Sequence, residues 1–419
     1  MKNIKYGCLI IFLISMTLIL SGCWDQTSIE ERAYVVAIGL DKSKSDNENQ
    51  IQVTYVIANP EYSKKEAMSN EPPMEVITFD ANDINVARNK ANTVIAKEIS
   101  FNLLSVLIVS EELAKDQNFI RWMYDATKER EIKRNTPFIV VKEETTEFFK
   151  QNQPKLESRI HKYYDLILKY ASEAGMVPNS HSNLGRYYRL TQADASLYLG
   201  IYGTSEKSEY KRRAEEDPFI AGEIEIKGGS NKVQFMGSAV FKEGQMIGTL
   251  TGEETRAAVL INENLNMGSI LATYKDPFDN RYRVTTRILQ KEDIKIKMDL
   301  KSPLPTIDVS IPLYIDILSQ HSMVDYVNDT EKRERLKQSI EEEITKTYNK
   351  LIKKTQEEFK GEPFGWSVIA RRQFLTIKEF EDFDWMKTYP EIDVNLSVKV
   401  NIGNFGNQSK VPDLEEMRD

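Results

Sequence analysis

The residues best suited to covalent chemistry stand at the start of the chain. Both cysteines, Cys8 and Cys23, fall within the first 23 of 419 residues, so the remainder can hold neither a disulfide framework nor a cysteine-based metal site. Cys23 ends the tetrad Leu20-Ser21-Gly22-Cys23. Ahead of it, Met1 to Lys5 carries two lysines, and "YGCLIIFLISMTLIL" forms an apolar run of about 15 residues, shorter than the roughly 20 that cross a bilayer as a helix. The pattern is a signal peptide whose cleavage site is a lipobox. A lipoprotein signal peptidase needs small residues before the cut and a cysteine whose sulfur carries diacylglycerol, and "LSGC" supplies both. The expected product is an N-acyl, S-diacylglycerol cysteine at Cys23. Each buried methylene contributes roughly 0.8 kcal/mol, and two chains on one sulfur hold a protein durably where one holds it marginally. Read this way, Cys23 is neither a nucleophile nor a ligand.

Other chemistry is hard to assemble. His161, His181 and His321 are far apart in sequence, without the spacing of a metal site. No G-x-S-x-G elbow, P-loop or G-x-G-x-x-G occurs, and "GNFG" near the end lacks the spacing and the following helix. Asp382 and Asp384 could serve glycoside hydrolysis, but among 64 acids such pairs arise freely. In "DFDWMKTYP", Trp385 and Tyr389 could stack on a sugar, although such aromatics more often close a core. No catalytic residue, cofactor site or metal site is expected, which leaves binding or assembly as the function class.

Charge narrows the partners. The formal charge is -8, and loss of Lys2 and Lys5 with an acid-free leader takes the rest to about -10. Basic residues alternate with acids, as in "KRRAEEDPF", so no nucleic acid is expected as a partner. With 41% apolar and 29% charged residues, the chain has the composition of a folded globular protein, and its length exceeds what one core usually organises.

The elements that would carry these residues alternate between strand and helix. "AYVVAIGLDK", "IQVTYVIA" and "EVITFDA" read as strands. "DINVARNKANTVIAKEI" reads as a helix with Ile84, Ala87, Ala91, Val94 and Ile95 on one face. "LLSVLIVS" and "TPFIVVK" are continuous apolar runs expected for strands buried on both faces, with Ser110 placed to cap a following helix. Helices are expected across 154–175 and 182–200. After the charged stretch "TSEKSEYKRRAEEDPF", two strands turn at Glu243-Gly244, and Thr251 to Glu254 form a capping box. Three further strands, "RYRVTTRILQ", "DIKIKMDLK" and "TIDVSIPLYIDIL", precede a long helix from about Asp329 to Phe359. The closing strand "IDVNLSVKVNI" alternates apolar and polar positions. The expectation is an α/β (α+β) fold in three domains, with central mixed or antiparallel sheets flanked by helices. Its bounds are a leader at 1–22, an N-terminal α/β domain at 23–205, a β-rich middle domain at 206–275, a C-terminal domain at 276–410 and a polar tail at 411–419.

"LSGCWDQTSIEERAYVVAIGLDK" resembles the start of the Ger(x)C family, the lipoprotein C subunits of spore germinant receptors. In that family a lipobox cysteine is followed by Trp-Asp, a short acidic helix and a strand ending in Gly-x-Asp. The matching residues are Cys23-Trp24-Asp25, Glu30-Glu31 and Gly39-Leu40-Asp41. "LLSVLIVSEELAKD", "MGSAVFKEGQMIGTLTGEET" and "KTQEEFKGEPFGW" follow in family order. Glu362-Pro363 stands before Phe364-Gly365 where the family usually has an aspartate, and "WSVIARRQF" replaces a glycine-rich continuation. The resemblance implies a three-domain body on the outer face of the spore inner membrane. It also implies two integral membrane partners, an A-type and a B-type subunit, in sensing nutrients and triggering germination. It supplies no catalytic residues and transfers only Cys23. A solute-binding lipoprotein of a transporter, with a ligand cleft between two lobes, is the main alternative; an envelope hydrolase is weaker.

Overall fold

The computed structural model describes Gly7, Ser28 and residues 31–406 apart from 46–48, 60–73, 155, 158, 179–181, 194, 209–217, 230 and 263–268. Cys8, Cys23, Trp24, Asp25, Glu30, His181, most of the charged stretch after residue 208 and the tail lie outside the described residues.

The first half forms a nine-stranded mixed sheet in the order β3-β2-β1-β5-β6-β7-β8-β9, with β4 beside β1. β1 (Arg32–Lys42), β2 (Ile51–Ala58) and β3 (Met74–Ala81) form an antiparallel meander. α1 (Ile84–Ala91) follows, and then β4 (Glu98–Ser100), which pairs parallel to the start of β1. β5 (Val106–Ser110) and β6 (Phe138–Val141) are buried at every position and extend β1 in parallel, as the unbroken apolar runs require. Between them lie α2 (Glu111–Ala114) and α3 (Phe119–Ala126). α4 (Thr145–Gln151), α5 (Ile160–Glu173) and α6 (Leu184–Ala193) lead to β7 (Tyr198–Thr204), parallel to β6. β8 (Gln234–Lys242) and β9 (Gln245–Leu250) complete the sheet in antiparallel fashion.

Alternation along β1 divides two cores. Val35, Ile38 and Leu40 join Leu113, Phe119, Met123 and Tyr187 on one face. Val36 and Ala37 join Phe148, Phe149, Ile160 and Tyr164 on the other. Helices therefore cover both faces, as a sheet with parallel interior strands demands.

α7 (Gly252–Leu260) leads to a second sheet of β10 (Ile270–Lys275), β11 (Arg283–Leu289), β12 (Lys295–Asp299), β13 (Thr306–Gln320) and β14 (Asp393–Ile402). β12 and β11 share one edge of β13, and β14 runs parallel along the other. α8 (Thr330–Lys354) lays Leu336, Ile340, Ile344, Tyr348, Leu351 and Ile352 on this sheet, and a π turn at Thr355–Phe359 ends it. α9 (Trp366–Arg371), α10 (Ile377–Phe383) and α11 (Trp385–Thr388) fill the return to β14.

Several expectations need correction. α1 stops at Ala91 and Val94 is 65% exposed, because Asn92 Oδ1 accepts the Ile99 N–H at 2.9 Å and bends the chain into β4. Residues 198–200 are the start of β7 rather than the end of a helix. Their Tyr-Leu-Gly run, continuing into Ile201 and Tyr202, suits a strand better than a helix. Ser110 makes no side-chain cap to α2, a helix of four residues. β10 was not anticipated. Strands from 206–275 are divided between the two sheets, β8 and β9 adding to the first and β10 to the second. That segment is a seam and carries no separate sheet among the described residues. By contrast, Thr251 and Glu254 form the expected reciprocal capping box, and Glu243 and Gly244 take the positive φ values of a tight hairpin turn.

Candidate functional site

Cys23 is the one site residue expected from sequence, and it lies outside the described residues. What the structure supplies is the element it leads into. β1 begins at Arg32, nine residues further on, a distance of at most about 30 Å of extended chain. β1 pairs with β2 on one edge and with β4 and β5 on the other, so a tether at Cys23 would act on an interior strand of the large sheet. No helix among the described residues is long and apolar enough to cross a membrane.

The other chemistry-bearing candidates are not brought together. His321 is exposed in the turn after β13, and no group of three or more His, Cys, Asp or Glu among the described residues could hold a metal ion. Asp384 accepts the Lys387 N–H at 3.2 Å and caps α11, while Asp382 is exposed. Trp385 and Tyr389 are buried, their rings 6.1 Å apart, and the Tyr389 hydroxyl meets Thr355 Oγ1 at 2.7 Å. They close the core and offer no stacking platform.

Asp41, which completes the Gly39-Leu40-Asp41 motif, is 2% exposed. Its Oδ1 accepts the Thr145 N–H at 2.8 Å and its Oδ2 the Thr145 hydroxyl. Burial raises its carboxyl above the ordinary 3.8, against the lowering effect of the Thr145 and Ser110 hydrogen bonds, and nearby Glu144 raises it further. Gly39 serves the same contact from two residues back. A Cβ there would stand 2.7 Å from both Thr145 Cβ and Phe149 Cε2, so only glycine admits α4 this close. The motif docks the first turn of α4 on β1. Neighbouring strand ends behave alike: Glu111 accepts the Tyr202 hydroxyl, and Glu143 accepts Thr204 Oγ1 and the Ser205 N–H, both at 2.6 Å. The carboxyl edge of parallel strands is where open α/β sheets place ligands. Here these acids bind the chain's own donors.

A second buried carboxylate joins the two halves. Glu362 is wholly buried. It accepts Ser196 Oγ and the Ser367 N–H at 2.9 Å and the Phe364 N–H at 2.6 Å. Its carbonyl accepts the Leu197 N–H at 2.9 Å, and the Ser196 and Ser367 hydroxyls lie 2.6 Å apart. Burial raises its carboxyl above the ordinary 4.5 despite these donors. Gly365, at φ +75°, supplies the left-handed turn that folds Phe364 and Ser367 around it. Sequence reading singled out Glu362 only as a departure from a family pattern. Its partners Ser196 and Ser367 left no local signal, since one lies 166 residues away.

Residues 25–202 match a family model described as the spore germination protein N-terminal domain, and residues 236–406 match one described as spore germination B3/GerAC like, C-terminal. Spore germination protein B3 of Bacillus subtilis (strain 168) is 20% identical over 94% of this chain and 97% of its own length. Spore germination protein KC of the same organism is 23% identical over 95% and 96%. The crystal structure of the GerBC protein shares the fold, with a TM-score of 0.51 and 16% identity over 87% of this chain and 96% of that one. With both models matched in order and relatives aligned from end to end, the chain belongs to the Ger(x)C family of spore germination proteins.

Proposed function

We propose that this protein is the non-enzymatic, lipid-anchored C subunit of a nutrient germinant receptor, held through Cys23 on the outer face of the spore inner membrane. There it assembles with an A-type and a B-type integral membrane subunit and is required for germination. The observation that carries the reading is end-to-end similarity to spore germination proteins in a chain whose first matched residue, Asp25, follows two positions after the lipobox cysteine. Confinement by lipid raises the effective concentration of the body near its partners, so modest contacts suffice. The acids best placed for chemistry, Asp41, Glu111, Glu143 and Glu362, hold elements together.

A solute-binding lipoprotein would need an open cleft between lobes. Where the two sheets meet, Glu362 is wholly buried among Ser196, Phe364 and Ser367. A cleft of about 390 Å³ lies instead at the side of the first sheet, lined by Gln151, Lys207, Ile226, Asn231 and Gln234.

The test is Cys23→Ala expressed during sporulation. The variant should take up no labelled fatty acid and leave the membrane fraction, and spores should lose the nutrient response that the gene supports. Unchanged labelling and fractionation contradict the anchor; an intact nutrient response after deletion of the gene contradicts the receptor role.

A further inference from the structure

The segment that departs from the family's glycine-rich pattern forms the most exposed apolar projection of the C-terminal half. Around α9 and the loop to α10, Leu375 is 95% exposed, Ile377 57% and Val368 51%. The loop is not loose. Phe374 packs on Phe380 and Phe383 with ring centres 5.6 and 5.1 Å away, and Gln373 Nε2 donates to the Met298 carbonyl at 3.0 Å. That bond sets the loop beside the β12–β13 hairpin, whose Leu304 is 79% exposed. Apolar side chains are held out in water by a braced backbone.

Within the segment itself the charges are of one sign. In a chain of net charge -8, residues 363–378 contain Arg371, Arg372 and Lys378 and no acid, and all three cations are exposed. The first acid beyond, Glu379, turns its carboxylate back to the Leu375 N–H at 2.9 Å. Glu381 and Asp382 are exposed further along α10, which limits the cationic surface to the tip.

Topology sets this tip at a particular end of the molecule. β1, β5, β6 and β7 are parallel, so their amino ends share one edge of the large sheet. Arg32, at the start of β1, marks that edge. Leu197, just before β7, binds Glu362 there, and Ser196 binds Ser367 at the start of α9. α9 is six residues long, about 9 Å. The base of the tip therefore lies at the edge of the large sheet where β1 begins.

We propose that Val368, Arg371, Arg372, Leu375, Ile377 and Lys378 form a second, reversible contact with the membrane, the leucine and isoleucine entering the headgroup region of an anionic bilayer while the cations meet lipid phosphates. Apolar tips ringed by basic residues bind anionic surfaces in this way. The contact orients the body, which attachment at the single point Cys23 does not do by itself. It rests on the lipid-anchor reading for its biological setting, and its test reads the two separately.

Residues 24–419 contain no cysteine, so in a Cys8→Ser background Leu375→Cys in the full-length protein recovered from membranes adds one site for an environment-sensitive fluorophore, and any labelling of Cys23 is read from the parent protein and subtracted. Leu156→Cys, at a fully exposed site among the loops beyond the opposite strand ends, is the control. The proteins are placed on vesicles of phosphatidylglycerol and phosphatidylcholine carrying a lipid-borne quencher. The probe at 375 should be quenched at least roughly twofold more than at 156, an excess lost on pure phosphatidylcholine and at high salt. Arg371→Glu with Arg372→Glu should cut the contacting fraction roughly tenfold. Equal quenching at the two positions on anionic vesicles overturns the proposal, as does a shift at 375 that needs the membrane subunits and not lipid, which would assign the tip to a protein partner. Retention on vesicles at high salt reports the anchor alone, so loss of retention with quenching intact at low salt refutes the anchor and leaves the tip standing.

Discussion

Glu362 and Asp41 sit where charge is costly, and each is surrounded by donors from a distant segment. A carboxyl group whose folded pKa is raised binds its proton more tightly in the folded state, so stability falls as pH rises from the unfolded value through the folded one. For Glu362 the window opens near 4.5 and for Asp41 near 3.8. Glu362→Gln removes one titrating group, and wild type should lose stability relative to this variant as pH rises from about 4.5, by up to about 1.4 kcal/mol per pH unit within the window. Denaturant midpoints at a series of pH values check this; stability curves that stay parallel would contradict it. Carboxylates paired with cations nearer the surface, such as Glu157 beside Arg159, are shifted downward and contribute the opposite slope, which is why the comparison with the variant is informative and the raw curve is not. Sequence made Gly39-Leu40-Asp41 conspicuous through family resemblance. Its physical meaning, a seat for Thr145, depends on a residue 104 positions away and had no local signature.

At the scale of elements, periodicity was a good guide wherever one face is wet. β14 alternates as read, and the long helix expected from about Asp329 is α8, which buries a single apolar face. Ile340 lies wholly buried at the centre of that face, and Ile340→Ala should destabilise by about 2–5 kcal/mol, through lost burial and a residual cavity. Chemical denaturation measures it, and a loss under about 1 kcal/mol would mean that the site collapses or that α8 is not packed as described. Reading failed where tertiary pairing overrode local pattern. β7 is hidden by a preceding helix and by Gly200, β10 is a six-residue strand whose one marker is the turn sequence "DPFDN" directly after it, and the helical pattern of α1 runs on across Thr93 and Val94. The domain seam was illegible for a similar reason. β8 and β9 read correctly as a hairpin, but nothing in them reveals that β8 pairs with β7. The C-terminal family match begins at residue 236, inside β8, so sequence similarity and sheet membership divide the chain at different places.

At the scale of the molecule, two sheets are joined by the β8–β9 hairpin, by α7 and by the Glu362 network. Val240 and Leu250 of the first sheet share a core with Ile311, Leu336 and Trp366 of the second half. Lys354 of α8 reaches Glu254 of α7 at 2.9 Å. A shared core and buried hydrogen bonds between the two sheets leave little room for an open ligand cleft between them. Class, export and lipidation were expected from the first 25 residues and from composition. Germination came from resemblance and is supported by the relatives, because no arrangement of side chains spells out a physiological role.

The most direct test is affinity purification of the tagged protein from spore membranes in gentle detergents, with quantification of the integral membrane proteins that accompany it. The receptor account predicts that one A-type and one B-type subunit co-purify in comparable amounts. Recovery of the intact lipoprotein without either subunit in every gentle detergent would contradict it.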